Sequence, residues 1–309
     1  MKFPYTTDNK RYHTLHHHNL QIYGDKVFKA SLDCGMTCPN RDGTLGRGGC
    51  IFCDSGSRYF GGTGSVAEQI MAERQRIRQK WPNAGLIAYF QAGTNTYGPA
   101  EYLAMLWEQA LGCPGVVGIS IATRADCLNR SVLEALADLN RRTRLTVELG
   151  LQTAHDETAA AIGRGHSMAQ FLEGYGALRE RKIRICVHLI NGLPGETEEM
   201  MLESARQVGR LQPGGVKLHL LHVNRETALA ELWRQGIYRP MEKEDYVRVV
   251  TEQLRYLPAE TVIERLTGDG DRNRLLAPLW SRNKISVLGA IDKRMCRENI
   301  WQGDCYEKV

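Results

Sequence analysis

Four cysteines stand close together near the start of the chain. They are Cys34, Cys38, Cys50 and Cys53, spaced C-x3-C-x11-C-x2-C. Thiolates at C-x2-C spacing can grip one metal centre, because the turn between them points both sulfurs the same way. Gly43, Gly46, Gly48 and Gly49 let the backbone wrap closely around such a centre. A structural zinc site would use all four cysteines and close the coordination sphere. An iron–sulfur cluster of catalytic type would use three, Cys38, Cys50 and Cys53, and leave one iron open to a ligand. The cysteines by themselves leave both chemistries open. The chain has nine cysteines, an odd count, and its first thirty residues lack the apolar core of a secretory signal. A disulfide framework is therefore not expected, and ligand or redox roles come first.

The elements that must position this loop show in the hydrophobic pattern. Six short β-branched or apolar runs alternate with helix-period segments, the pattern of βα units that build a parallel sheet. The runs are Val27 to Leu32, Leu86 to Gln91, Val116 to Ala122, Leu145 to Leu151, Arg184 to Ile190 and Val216 to Leu221. The expected helices are Val66 to Trp81, Ala100 to Leu111, Ser131 to Arg141, Met168 to Arg181 and Glu196 to Leu211. Six such units are too few for a closed eight-stranded barrel, so the expected fold is a partial, open (β/α)6 barrel of the α/β class. The barrel is expected over residues 27–240, after a basic and aromatic extension, 1–26. A small α+β extension, residues 241–309, follows it, with a helix, a short strand and a basic segment.

In parallel α/β folds the working site lies at the carboxyl ends of the strands. The loops there read DCGMTCPNRDGTLGRGGCIFC, QAGTNTYG, TRADC, QTAHD with the later GRGH, NGLPGET and HVNRE. A cysteine loop at the mouth of a parallel barrel, rather than in a small independent module, favours the catalytic cluster over zinc.

The loop LDCGMTCPNRDGTLGRGGCIFC resembles the cluster loop of radical S-adenosylmethionine proteins of the YhcC and YtqA type, relatives of the Elongator catalytic subunit. YFQAGTNT, ISIATRADC, VELGLQTAHD, GRGH, HLINGLPGE and GVKLHLLH resemble successive motifs of the same family in the same order, so the similarity runs along nearly the whole chain and is nearest the YtqA branch. Two positions depart from it. Cys34 stands where relatives usually carry a non-ligating residue such as Gly, and Ala122 replaces the Glu of the Elongator-type ETRPD motif.

The resemblance implies that Cys38, Cys50 and Cys53 hold a [4Fe–4S] cluster whose fourth iron chelates S-adenosylmethionine. One electron passed into the sulfonium would release methionine and a 5′-deoxyadenosyl radical that takes hydrogen from a substrate. Gln152 matches a position that hydrogen-bonds the cofactor ribose, and Arg164 matches an arginine that pairs with the methionine carboxylate. Glu148 is a second candidate for the ribose, with a buried ion pair as its alternative. The turn at Gly192 and Gly195 corresponds to a region that meets the adenine through main-chain atoms, and Gln91, Thr94 and Asn95 to one that binds the cofactor's amino group, with the substrate side as their alternative. His155, His166, His188, Lys217, His219 and His222 remain. Lys217 and His219 share one face of the last strand by period two, so these two are expected to approach the substrate.

The net charge is +5, with 42% apolar and 24% charged residues, an ordinary globular composition that permits an RNA partner without demanding one. Lys10, Arg11, Tyr12 and His13 near the start, and Arg272, Arg274, Trp280, Arg282, Lys284 and Trp301 near the end, could contact phosphates and stack on bases. No stretch reaches the roughly 18 apolar residues of a membrane span, so a cytoplasmic protein without a membrane partner is expected. The YtqA branch implies a transfer RNA substrate, with trimming of a carboxymethylaminomethyl group on the wobble uridine to aminomethyl. The electron donor would be of the flavodoxin or ferredoxin kind. Another RNA base or a small metabolite is the alternative substrate, and a zinc-stabilised RNA-binding module without redox chemistry is the alternative class. The sequence sets no oligomeric state.

Overall fold

The computed structural model describes residue 3 and residues 9–53, 62–268, 270 and 273–307. Six strands follow the expected runs within a residue or so: β1 (Val27–Leu32), β2 (Gly85–Phe90), β3 (Val116–Thr123), β4 (Leu145–Gln152), β5 (Arg184–Asn191) and β6 (Gly215–Leu220). Three short strands come later, β7 (Val223–Asn224), β8 (Val262–Arg265) and β9 (Leu275–Ala277). The helices are α1 (Leu15–Tyr23), α2 (Val66–Arg78), α3 (Ala100–Leu111), α4 (Arg130–Arg142), α5 (Asp156–Ala161), α6 (Met168–Glu180), α7 (Glu198–Leu211), α8 (Ala228–Arg234), α9 (Lys243–Arg255) and α10 (Lys284–Arg297). Side-chain caps set several helix starts. Ser65 and Ser167 form reciprocal capping boxes with Glu68 and Gln170.

The sheet is parallel and runs β1-β2-β3-β4-β5-β6-β8. It therefore has seven strands rather than six. The seventh comes from the segment expected to form a C-terminal extension, so the division at residue 240 does not fall at an edge of the sheet. The short strand was expected, but not its place in the sheet, because β8 is only four residues long and carries little pattern. His13 and Thr14 lie along the free edge of β8, with the Ile263 amide donating to the His13 carbonyl at 2.8 Å. The N-terminal segment thus covers an edge that would otherwise expose unpaired backbone.

Alternation along the strands divides the protein into two environments. Val147, Leu149 and Leu151 of β4, with Ile119, Ile121, Val187 and Leu218, point to the helices and join Trp107, Phe171 and Leu136 in one apolar core. Ser120, Glu148, His188 and Lys217, which alternate with them, point into the barrel and bond one another. Lys29 of β1 reaches Glu148 of β4 at 2.5 Å and Glu264 of β8 at 2.9 Å. A single lysine that touches the middle and the last strand of the sheet requires the sheet to be curled into a partial barrel with its two edges drawn together.

Candidate active site

The cysteine loop leaves β1 and folds over the carboxyl ends of the strands, held by contacts that specific residues supply. Asn40, buried at 4% exposure, donates through Nδ2 to the carbonyls of Gly163 (2.8 Å) and Arg164 (2.7 Å), and its amide lies 3.7 Å from the Cys50 sulfur. The Thr94 amide donates to the Thr37 carbonyl. Gly93, at φ +79°, lies so close to the loop that a Cβ there would come within 2.2 Å of the Met36 carbonyl oxygen.

Cys38, Cys50 and Cys53 line one cavity of about 240 Å³, together with Gln91, Thr94, Arg124, Glu148, Gln152, Arg164, His166 and His188. Among the described residues, Cys34 is not part of that wall. It packs instead against the apolar core, where burial, with Asp33 adding to it, pushes its thiol up to about 11. A cube takes each thiolate on a different iron, so its ligands surround a cavity rather than converge on a point. No three His, Cys, Asp or Glu side chains among the described residues are grouped around a single ion position. The hydrogen bond from Cys53, helped by the Asn40 amide, holds Cys50 below the ordinary thiol value against the opposing effect of burial.

Gln152 occupies the wall of this cavity because of local backbone irregularity. It sits at φ +68° where the β4–β5 register slips between Gly150 and Gln152. Such a bulge re-aims a side chain that regular pleating would have placed elsewhere. Gln91 accepts a hydrogen bond from Ser31 at 2.9 Å through its own Oε1 and lines the same cavity.

Four expectations meet a different geometry. The Arg164 fork is already engaged, with Nη1 donating to the Leu151 and Thr153 carbonyls at 2.6 Å each. Nε donates to the His166 carbonyl at 2.9 Å, and Nη2 lies 3.2 Å from Asp156. One N–H of five remains, so a bidentate grip on a carboxylate does not fit. Asn95 is 1% exposed and spends its NH2 on the Phe90 and Ala122 carbonyls, tying β2 to β3 outside the cavity. Gly192 donates its N–H to the Met201 sulfur, and its carbonyl accepts from Tyr238, so its main chain has no donor left for an adenine and one carbonyl lone pair. Lys217 is 4% exposed, bonded to Glu148, and absent from the described walls of the mouth cavities.

Glu148 explains that last displacement. It is fully buried, and its two oxygens accept from Lys29, Ser120 (2.6 Å), Tyr89 (2.9 Å), His188 (2.8 Å) and Lys217. Burial would raise its carboxyl, but Lys217, Lys29 and the His188 hydrogen bond override burial and hold it well below the usual carboxylate range. Of its two sequence readings, the buried ion pair is the one the structure shows, and no lone pair is left for a ribose.

Above Glu148, a second chamber of about 460 Å³ adjoins the cysteine-lined cavity and shares Phe52, Gln91, Gln152 and His188 with it. His219 faces this chamber, as does His222, which lies beyond the end of β6 and so escapes strand alternation. His166, 6% exposed in the cysteine cavity, has a buried Nε2 without a hydrogen-bond partner. His155 instead bonds the Met200 carbonyl at 2.9 Å through its Nε2. Asn40, Phe52 and Arg124 were not marked by spacing. Arg124, buried at 9%, pairs with Asp126 and donates to the Arg164 carbonyl at 2.6 Å. Its position in TRADC at the end of β3 was the available signal.

A curled parallel half-barrel with three cysteines of one loop gathered at its mouth is the architecture of radical S-adenosylmethionine proteins. Sequence profiles agree: residues 40–208 match the Radical SAM superfamily and residues 213–297 the Radical_SAM C-terminal domain. The chain belongs to the Radical SAM superfamily, whose members use a [4Fe–4S] cluster and S-adenosylmethionine. It is 45% identical over 310 residues to YtqA of Bacillus subtilis, covering 99% of this chain and 96% of that one. It is 30% identical over 156 residues to a tRNA uridine(34) acetyltransferase of Dehalococcoides mccartyi, covering 50% of this chain and 33% of that protein. Among solved structures, the archaeal Elp3 of Methanocaldococcus infernus superposes with a TM-score of 0.70 at 18% identity, over 90% of this chain and 64% of that one. No helix among the described residues is long and apolar enough to cross a membrane.

Proposed function

We propose that the chain is a radical S-adenosylmethionine enzyme that modifies the wobble uridine of transfer RNA, converting a carboxymethylaminomethyl side chain to aminomethyl. The observation that carries the enzymatic part is the shared cavity wall of Cys38, Cys50 and Cys53, with Cys34 outside it. These three would hold the [4Fe–4S] cluster. When bound, the cluster with S-adenosylmethionine supplies a 5′-deoxyadenosyl radical that abstracts hydrogen from the substrate.

The chain's own residues do the positioning. Asn40 fixes the loop that carries the thiols, Gln152 and Gln91 present amides to the cofactor, and Thr94 lines the same wall. Arg164 and Arg124 act on the loop's scaffold, so their role is positioning. The transfer RNA reading draws support from the match of half of this chain to a third of a tRNA uridine(34) acetyltransferase. Of the basic residues expected to meet RNA, Lys10, Arg11, Arg274, Arg282 and Lys284 are among the described residues, and Arg272 lies outside them. A flavodoxin or ferredoxin would deliver the electron.

The test has two arms. Anaerobically reconstituted, reduced protein given S-adenosylmethionine should release 5′-deoxyadenosine, and Cys50→Ala should abolish this while Cys34→Ala should not. Equal loss in both variants would refute the ligand assignment. Nucleoside mass spectrometry of transfer RNA from cells with and without the gene should show carboxymethylaminomethyluridine accumulating in its absence; an unchanged nucleoside profile refutes the substrate.

A further inference from the structure

The second chamber is walled by apolar side chains, by hydrogen-bonding ones and by one cation, Arg265. Phe52, Ile190, Leu220 and Leu221 are flat or aliphatic, while Gln91, Gln152, His188 and His219 carry hydrogen-bonding edges. Among the described residues its wall contains no carboxylate. Glu148, which lies close by, has all its acceptors occupied from within the protein. A cationic guest would find no counter-charge there, whereas a neutral planar ring with polar edge atoms would find both surfaces it needs.

Two imidazoles stand together in that wall. The rings of His188 and His219 have centroids 5.3 Å apart. His188 is committed, because its Nε2 lies 2.8 Å from the ionised Glu148 and so carries the proton, leaving Nδ1 as an acceptor. His219 is not committed at one atom. Its Nε2 is shielded from solvent and has no hydrogen-bond partner within the protein. A buried polar atom without a partner is a standing cost, which a ligand atom can remove. Burial, His188 and the neighbouring cations Arg265 and Lys217 keep His219 well below the ordinary imidazole value, so it is neutral and offers one donor and one acceptor.

We propose that this chamber is a nucleobase pocket, in which the apolar walls take the faces of a single extruded pyrimidine and His219 Nε2 hydrogen-bonds its edge. The proposal rests on the uridine reading above and gives that reading a specificity-determining residue. The shared residues Phe52, Gln91, Gln152 and His188 place the guest directly beside the cysteine-lined cavity. A base inserted here must leave its stack, as enzymes acting on a base require. His219 thus positions the substrate ring relative to the abstracting group.

Equilibrium dialysis of uridine 5′-monophosphate, used as the probe, against reconstituted protein saturated with S-adenosylmethionine tests it. Wild type should bind the probe, His219→Phe should weaken binding at least five-fold, and His219→Gln, which keeps a hydrogen-bonding edge, should recover part of that loss. The S-adenosylmethionine dissociation constant should move less than two-fold in both variants. With transfer RNA as substrate, His219→Phe should raise KM more than it lowers kcat. Absence of probe binding by wild type, or equal binding by wild type and His219→Phe, overturns the pocket. Probe binding that depends on His219 without any product on transfer RNA overturns the wobble-uridine reading and leaves the pocket standing. Product on transfer RNA with a KM indifferent to His219 does the reverse.

Discussion

Asn40 and Gly165 interlock, one from the cysteine loop and the other from the GRGH turn. A Cβ on Gly165 would sit 2.3 Å from the Asn40 Oδ1, and the same Asn40 side chain bonds the carbonyls of the two residues before it. The turn at Gly165, φ +79°, is therefore shaped to receive one particular amide, and the cysteine loop is fixed by a contact over 120 residues away in sequence.

Asn40→Ala should lower iron content after anaerobic reconstitution more than it lowers global stability, which should fall by about 1 to 3 kcal/mol for the buried hydrogen bonds lost at the Gly163 and Arg164 carbonyls, the second of which keeps its bond from Arg124. Gly165→Ala should do the same through steric conflict at positive φ. Iron per chain and urea denaturation midpoints measure the two effects, and full iron loading in both variants would show that the loop holds itself.

Glu148→Gln removes the one carboxylate on which Lys29 and Lys217 both converge. Breaking a buried pair from one side typically costs about 3 to 5 kcal/mol, because a charge is left uncompensated. The double variant Glu148→Gln with Lys217→Met should recover part of that loss. Denaturant melts of the single and double variants decide it; additive losses would mean that the two groups are not coupled.

Arg164→Lys should destabilise the protein by about 2 to 3 kcal/mol, since an ammonium cannot replace a guanidinium directed at three carbonyls, of Leu151 in β4, Thr153 and His166. A variant of wild-type stability with weakened S-adenosylmethionine binding would instead restore the carboxylate-clamp role that the family resemblance assigns.

Stability should begin to fall at a higher pH than carboxylates alone dictate. His13, His18, His188 and His219 all titrate below their ordinary 6.5 because burial disfavours the cation, His18 at about 4. As pH drops below 6.5 the unfolded chain takes up protons that the folded one refuses, so stability is lost from there downward. Glu148 and Glu264, held below their ordinary 4.5, add a further loss only as pH falls through that value. Thermal melts between pH 7 and 5 should show Tm falling steadily. A flat Tm across that window would mean that these imidazoles are charged or exposed.

The strands were legible in the sequence because each is a run of apolar residues between polar loops, and the period-two signal survives even though the inward face is polar. The same signal located Lys217 and His219 on one lining but could not tell which of them reaches the mouth. That depends on how far up the barrel each lies, and Lys217 sits one step too deep. The cysteine triad was legible from spacing and family likeness. Asn40 was not, since its partners Gly163 and Arg164 are distant in sequence and only tertiary structure brings them together. The motif placed Arg164 in the wall of the cysteine cavity, but a motif fixes residue identity and position and not where five N–H groups point. The strand β8 was seen but assigned to an appendage, because four residues after an interrupted repeat carry no information about which edge they will join.

A barrel whose lumen is threaded with ions from Lys29 through Glu148 to Glu264 and Arg184 responds to heat differently from one lined with aliphatic side chains. Hydration of charged groups grows less favourable on warming, so the penalty for drying that lumen shrinks. The strands should stay stitched together to higher temperature than the outer helices, whose grip on the sheet is apolar. On a temperature ramp, backbone amides of β1, β4 and β8 should be the last to exchange with deuterium.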